Sequence, residues 1–461
     1  MTSFDTDYLV IGAGAMGMAF IDTLLTETSG TDVTVTLIDE GHQPGGHWNS
    51  SYPFVRLHQP SAYYGVNSRP LGDDVADTTG WNEGLLELAT GNEVCAYFDQ
   101  VLRHHLLPTG RLTYFPMARF LGDDRFRTLD GAEHTIVVRR RVVDATYLRT
   151  VVPAMRPPPF PFADGVRVVA PNDVPRWAPE HTHFTIVGVG KTGIDACLWL
   201  LRLGVDPARL RWIMPRDSWL MNRANVQPGP QLLASLGTAV QAVFEAASFD
   251  DLFLRLEAHG NLLRVDPSVD PTMYHCAIVS LRELEHLRRI DDIVRMGRVL
   301  AVDEDRITLQ QGDIATEPNT LYVDCTAAGL TRQPPLPVFD GERITLQSLR
   351  GCQQVFSSAL IARVETAYAD DDTRNALCEP VPHPDAPLDW LRIMLSDNLA
   401  QARWIRDPDL TSWLESARLN IVRGLFPDIN PASPSRDDAV QGLTTAMAAT
   451  NERLSALMRT D

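Results

Sequence analysis

Two glycine fingerprints, each set between an apolar run and a helix-like stretch, and two chain halves of matching order and length predict the fold class. It is α/β, with two Rossmann-like dinucleotide-binding domains carrying β-meanders and a mostly helical C-terminal segment. The fingerprints are Gly12-Ala-Gly14-Ala-Met-Gly17 and Gly188-Val-Gly190-Lys191-Thr192-Gly193. After the first, the chain passes Arg119-Phe-Leu-Gly-Asp-Asp-Arg-Phe-Arg-Thr-Leu-Asp-Gly131 and an apolar run ending Val142-Val-Asp144-Ala-Thr146. After the second, it passes Arg298-Val-Leu-Ala-Val-Asp-Glu-Asp-Arg306-Ile-Thr-Leu-Gln-Gln-Gly312 and Leu321-Tyr-Val-Asp324-Cys-Thr326. Each half therefore reads as strand, glycine turn, helix, strand, a meander turning at Gly131 or Gly312, and a closing strand.

In chain order, Tyr8-Leu-Val-Ile feeds the first turn and Met18-Ala-Phe-Ile-Asp-Thr-Leu-Leu continues as a helix. In that context Gly12 makes the tight turn, Gly14 admits a pyrophosphate to the backbone, and Gly17 lets helix and strand pack closely. The next apolar run, Val-Thr-Leu-Ile, ends in Asp39, an acid placed to accept hydrogen bonds from ribose hydroxyls. Residues 153–161, rich in proline, form an extended crossing between domains. Phe184-Thr-Ile-Val then enters the second turn, and a helix containing Leu198-Trp-Leu-Leu leaves it. A P-loop reading of Gly190-Lys191-Thr192 fails, because its first glycine would have to stand at Thr185, inside a strand. The same count that separates Gly17 from Asp39 reaches Pro215 from Gly193, with Arg216 next; an arginine there suits a ribose bearing a 2′-phosphate. Lys191 and Thr192 add candidate phosphate contacts. The pair reads as one FAD site and one NADPH site.

These signals divide the chain into an FAD domain at 1–150 and 320–365, an NADPH domain at 165–319 with a helical insertion at about 230–290, and a helical segment at 366–461. The segment is expected to cover the active site or to mediate a homodimer.

Composition narrows the partners. The chain has 461 residues, with 41 basic against 59 acidic and a formal charge of −18, a balance that argues against nucleic acid or an anionic membrane as a partner. No run approaches the roughly 18 apolar residues of a membrane span. The N-terminal MTSFDTDYLVIGAGAMG reads as a strand entering a turn rather than a signal peptide, so a cytoplasmic location is expected. The six cysteines, Cys95, Cys197, Cys276, Cys325, Cys352 and Cys378, are scattered without a CxxC, which excludes the usual zinc and redox-disulfide spacings. His104-His105 and His181-Thr-His183 lack ligand spacing, so no metal is expected.

The run Leu37-Ile-Asp39-Glu-Gly-His-Gln-Pro-Gly45-Gly46-His47-Trp48 resembles the acid, spacer, Gly-Gly-x-Trp element of flavin-containing and Baeyer-Villiger monooxygenases. The resemblance covers roughly residues 7–365 and implies an oxidoreductase with that group's fold, FAD, NADPH and oxygen. It places Gly45, Gly46, His47 and Trp48 along the FAD near its ribityl chain and ring. In the segment from Tyr52 to Asn67, it points to Gln59 before Pro60 as the match of an asparagine that contacts the oxygenated flavin, with Asn67 as the alternative and Arg56 as a third candidate. The chain departs from the group in Phe162-Ala-Asp-Gly165-Val-Arg-Val-Val-Ala-Pro-Asn172, which has no histidine in register, and in Asp324-Cys-Thr326-Ala-Ala-Gly329. The reaction so implied is hydride transfer from NADPH to FAD, oxygen addition to give a hydroperoxide at carbon 4a, and transfer of one oxygen atom to a small or medium organic substrate. Two alternatives stay open: an NADPH-independent flavin oxidase or dehydrogenase that keeps the second domain as scaffold, and a non-catalytic flavin redox-sensing module.

Overall fold

The protein, described here from a computed structural model, is defined over residues 2–327, 329 and 331–459. β1 (Thr2–Ile11) enters the first glycine turn, α1 (Ala15–Glu27) returns along the sheet, and β2 (Val35–Ile38) pairs parallel to β1 with Ile11 opposite Ile38. All four residues of β2 are buried without alternation, as in a parallel strand covered on both faces. α2 (Gly91–Val101) starts at a capping box in which Thr90 and Glu93 satisfy each other's backbone amides. β3 (Leu112–Phe115) adds beside β2, the hairpin β4 (Arg119–Gly122) and β5 (Arg125–Arg127) forms the meander, and β6 (Glu133–Asp144) pairs parallel to β1 on its other side.

The second half repeats this plan. β7 (Arg167–Val169) and the short α3 (Val174–Trp177) precede β8 (His183–Val187), the second glycine turn, α4 (Lys191–Arg202) and β9 (Leu210–Ile213). The insertion follows as β10 (Ser218–Asn222), α5 (Pro230–Glu245), α6 (Phe249–Ala258), β11 (Leu262–Leu263), β12 (Met273–Val279) and α7 (Leu281–Leu287). β13 (Asp292–Val294) rejoins the sheet, β14 (Val299–Val302), β15 (Arg306–Leu309) and β16 (Gly312–Ala315) form the second meander, and β17 (Thr320–Asp324) closes the unit. The parallel order is β13-β9-β8-β17-β7.

β18 (Phe339–Asp340) and β19 (Arg343–Thr345) then return to the first sheet, β19 lying parallel to β6. α8 (Gln354–Ala367) is buried nearly all round, Ser357, Ser358 and Glu365 included, and packs against α1 in the largest core cluster, which holds Phe356, Ala359 and Leu360 with Met18, Ile21 and Leu24. α9 (Asp371–Leu377), α10 (Pro387–Trp404), α11 (Pro408–Ser416) and α12 (Arg436–Leu457) complete the chain.

Two expectations change. β17 pairs with β8 and β7, so residues 320–324 belong to the second domain and the crossing back follows Asp324. The insertion is not wholly helical: β10, β11 and β12 form their own three-stranded sheet, since the β-branched and aromatic content of Met273-Tyr-His-Cys-Ala-Ile-Val outweighs the helical pattern around it. The C-terminal segment divides between two cores: Trp390, Leu391, Leu454 and Leu457 join Ala242, Val243 and Phe253 of the insertion, while Trp404, Leu410, Trp413 and Leu414 join the core of the first domain. No helix among the described residues is long and apolar enough to cross a membrane.

Candidate functional site

The first glycine turn is built to receive an anion. Gly12 has φ +104°, and a Cβ on Gly17 would lie 2.1 Å from the Gly12 carbonyl oxygen, so both positions require glycine. A Cβ on Gly14 would meet only the Gly46 Cα, at 3.9 Å. No side chain caps the N-terminus of α1, which leaves its first amides to bind an anion. Asp39 stands one residue beyond β2; its Oδ2 accepts from the Ala13 amide and its Oδ1 from the Gly41 amide, both at 2.5 Å. The Gly45 amide donates to the Ala13 carbonyl at 2.9 Å, which docks the Gly-Gly-x-Trp element on the turn. His47 stacks on Trp48 at 5.4 Å, and burial pushes its imidazole down to about 4, so it is neutral at physiological pH. The Trp48 indole donates to the Tyr64 hydroxyl at 2.7 Å.

The start of α8 closes this site from the far end of the sequence. Gln353 Nε2 donates to Gln59 Oε1 at 3.3 Å, while Gln353 Oε1 and Gln354 Nε2 are buried with no partner. Unpaired buried amide atoms at an uncapped helix N-terminus call for a polar ligand edge. The uncapped phosphate turn, an acid at the ribose position and these orphaned amide atoms fit a flavin adenine dinucleotide.

The second turn repeats the geometry, and its chemistry differs. Gly188 has φ +121°, a Cβ on Gly193 would lie 2.1 Å from the Gly188 oxygen, α4 has no side-chain cap, and the space over Gly190 is open to 4 Å. Gly12 donates to Ile38 in the first half and Gly188 to Ile213 in the second, so the position equivalent to Asp39 is the buried Met214, one residue before the Pro215 expected from counting. No acid meets the ribose here. Arg216 lies two residues further, and its guanidinium forms a salt bridge with Asp385 rather than facing solvent freely. Lys191 pairs with Asp195, one turn along α4.

The segment between residues 47 and 64 fills the space between the domains. The Tyr52 hydroxyl donates to Asp195 Oδ2 at 2.7 Å, Phe54 stacks on Trp199 at 4.9 Å, and Asn172 Nδ2 bonds the Ser50 and Ser51 carbonyls. Desolvation raises the Asp195 carboxyl against the pull of Lys191. Arg223, 2% exposed, donates to the His58 carbonyl at 3.0 Å and to Asn82 Oδ1 at 3.1 Å, and pairs with Glu283 at 2.7 Å. Burial, then the nearby Lys191 and Arg223, push His58 down to about 3.

The three catalytic candidates do not gather at one point. Gln59 meets the α8 terminus. Arg56 is exposed, with Nη1 on the Leu88 carbonyl at 3.2 Å, and Asn67 Oδ1 accepts from the Leu419 amide at 3.3 Å. Arg418 beside it holds the Ala62, Tyr64 and Val66 carbonyls, which makes Asn67 part of a structural clamp by the C-terminal segment. Of the altered threonine motif, Ala328 lies outside the described residues; the Thr326 amide donates to Asp324 Oδ1 at 2.9 Å, and the Thr326 hydroxyl accepts from Arg156. Sequence reasoning missed Gln353, Gln354, Asp195 and Asp385. None stands in a recognisable motif except Asp195, which sits four residues after Lys191 on one helix face and was legible as an i,i+4 pair.

The chain is 55% identical over 460 residues to the uncharacterized protein Rv2000 of Mycobacterium tuberculosis, covering 99% of this chain and 85% of that protein. The uncharacterized protein Mb2023 of Mycobacterium bovis matches with the same identity and coverage. Among solved structures, an oxidized steroid monooxygenase bound to NADP superposes with a TM-score of 0.50 at 14% identity, over 98% of this chain and 99% of that one, and so shares its fold. No protein-family model matches the chain.

Proposed function

The chain belongs to the family of these uncharacterized mycobacterial proteins, and we propose that it is a flavoprotein monooxygenase that takes electrons from NADPH and places one oxygen atom of O2 in a small or medium organic substrate. One observation carries the reading: two uncapped glycine turns, the first joined by the unpartnered Gln353 and Gln354 amide atoms at α8. The steroid monooxygenase that shares this fold was solved with NADP bound, which supports the same division of labour.

FAD, when bound, supplies hydride acceptance and oxygen activation. The residues of the chain supply placement. The α1 amides hold the pyrophosphate, and Asp39, with two of its lone pairs already on Ala13 and Gly41, orients the ribose through those that remain. Gln353 and Gln354 would offer their unpartnered amide atoms to the polar edge of the ring, and Gln59 is held beside them by its bond to Gln353. The neutral His47, Trp48 and Tyr64 form an aromatic wall that limits water. The α4 amides at Gly190 take the nicotinamide nucleotide's pyrophosphate.

The visible spectrum of the purified protein tests the first site. An absorbance maximum near those of bound flavin is expected, bleached by NADPH without oxygen and restored by oxygen with an oxygenated product from a substrate panel. A protein that stays colourless after incubation with FAD overturns the proposal. Flavin reduced only by an organic substrate, and never by a nicotinamide, would favour the oxidase or dehydrogenase reading instead. Gly190→Ala isolates the second site: a methyl there meets nothing in the protein, so folding and flavin content should be unchanged while NADPH bleaching slows by at least about tenfold, the effect of an atom in the pyrophosphate's path.

A further inference from the structure

Arg216 is engaged at every guanidinium nitrogen. Its Nη1 bonds both Asp385 carboxylate oxygens, at 3.0 and 3.2 Å; its Nη2 donates to the Thr272 and Asp385 carbonyls; its Nε reaches Thr272 Oγ1 at 3.4 Å. Each of the three guanidinium nitrogens is therefore engaged, and Nη1 is met by the Asp385 carboxylate. Asp385 is in turn met by His275 Nε2 at 3.0 Å and Arg332 at 3.9 Å, and Arg332 also faces Asp389 at 3.8 Å. Three cationic or protonatable side chains thus converge on one carboxylate, which is 39% exposed. The His275 bond and then Arg216 hold that carboxyl below its ordinary range, against desolvation, so it is ionised at neutral pH.

The position of Asp385 is built, since it lies in a linker that could otherwise drift. Its carbonyl accepts from the Tyr274 amide at 3.1 Å, and its own amide and that of Ala386 donate to Asp389 Oδ2 at 2.9 and 3.1 Å at the start of α10. The C-terminal segment therefore delivers a fixed anion to the arginine that follows β9, beside the second glycine turn. A ribose 2′-phosphate is likewise an oxyanion that accepts from guanidinium N–H groups, and its approach is to the nitrogen that the Asp385 carboxylate covers. The two cannot share it.

We propose that Asp385 sets nicotinamide specificity at the second site: it occupies the place of the 2′-phosphate on Arg216 and suppresses the preference for 2′-phosphorylated nucleotides. This inference rests on the reading of the second glycine turn as a nicotinamide nucleotide site. When a 2′-phosphate displaces Asp385, it inherits Arg216, Arg332 and His275 together, so the suppressed affinity is recoverable by neutralising one residue.

The test is calorimetric titration of the full chain with adenosine 2′,5′-bisphosphate and with adenosine 5′-monophosphate, which differ only in the 2′-phosphate. The wild type is expected to bind the two within about threefold of each other, and Asp385→Asn to bind the bisphosphate at least about tenfold tighter with the monophosphate unchanged within about twofold. Asp385→Ser repeats the comparison should the asparagine variant fold poorly, and adding Arg216→Ala to Asp385→Asn should abolish the gain. Monophosphate binding with an unaltered ratio in the Asp385 variants overturns this inference and leaves the nucleotide site standing. Failure of either nucleotide to bind any of the proteins overturns both.

Discussion

Replacing Glu283 by glutamine perturbs the interface between the two nucleotide domains at one charge. Glu283 pairs with Arg223 at 2.7 Å, and the arginine is 2% exposed. The remaining acceptors around Arg223 are neutral: the His58 carbonyl at 3.0 Å, Asn82 Oδ1 at 3.1 Å and the Ile278 carbonyl at 3.4 Å. Glutamine keeps the size of the side chain and the acceptor that caps Ser280 at the start of α7, so the change isolates the charge. A buried cation stripped of its carboxylate costs about 3–5 kcal/mol. Urea unfolding followed by circular dichroism measures the loss. Arg223→Met with Glu283→Gln removes both charges, keeps the Ser280 acceptor, and is expected to lie closer to wild type than Glu283→Gln alone, because no buried charge is left unpaired. A loss below about 1 kcal/mol for Glu283→Gln, or a double variant as damaged as the sum of the singles, refutes the argument that this pair is buried and mutually dependent.

Two further outcomes follow from the same physics. Tyr52→Phe removes a hydrogen bond to the Asp195 carboxylate and is expected to lower the unfolding free energy by about 1.5–3 kcal/mol, the range for a bond to a charged group; a loss under about 0.5 kcal/mol contradicts the strut between the domains. Asp397 is pushed up to about 7 by burial, against the opposing pull of Arg350 and the Gly351 amide. An acid whose folded pKa is raised holds its proton longer when folded, so its contribution is fully present below about pH 4 and is lost as pH rises to about 7. Compared with Asp397→Asn, the wild type should lose up to about 4 kcal/mol across that window, and parallel stability curves for the two would sink the assignment.

Much of the candidate site was legible because it is local. A glycine turn between strand and helix depends on residues within one short stretch, and the 2.1 Å approach to Gly12 and Gly188 explains why Gly17 and Gly193 stand where they do. The Gly-Gly-x-Trp element was legible for the same reason, since Gly45 binds the turn it follows. Counting failed by one residue at Met214, because the register of β9 against the second turn is fixed by the Gly188 to Ile213 hydrogen bond rather than by loop length. Asn67 and Arg56 carried suitable chemistry in a suitable segment, yet the C-terminal clamp and the Leu88 carbonyl took them elsewhere.

The sequence by itself determined the two-domain α/β plan, the two phosphate turns and the acid at the first of them, since each follows from short-range periodicity and backbone sterics. Only the tertiary structure decided which distant residues complete the sites. Gln353 reaches Gln59 from the start of α8, which packs on α1, and Asp385 reaches Arg216 because the start of α10 is tied down against β12. Such contacts join residues far apart along the chain, and their partners are set by burial and charge pairing across packed elements, which leave no mark in local spacing.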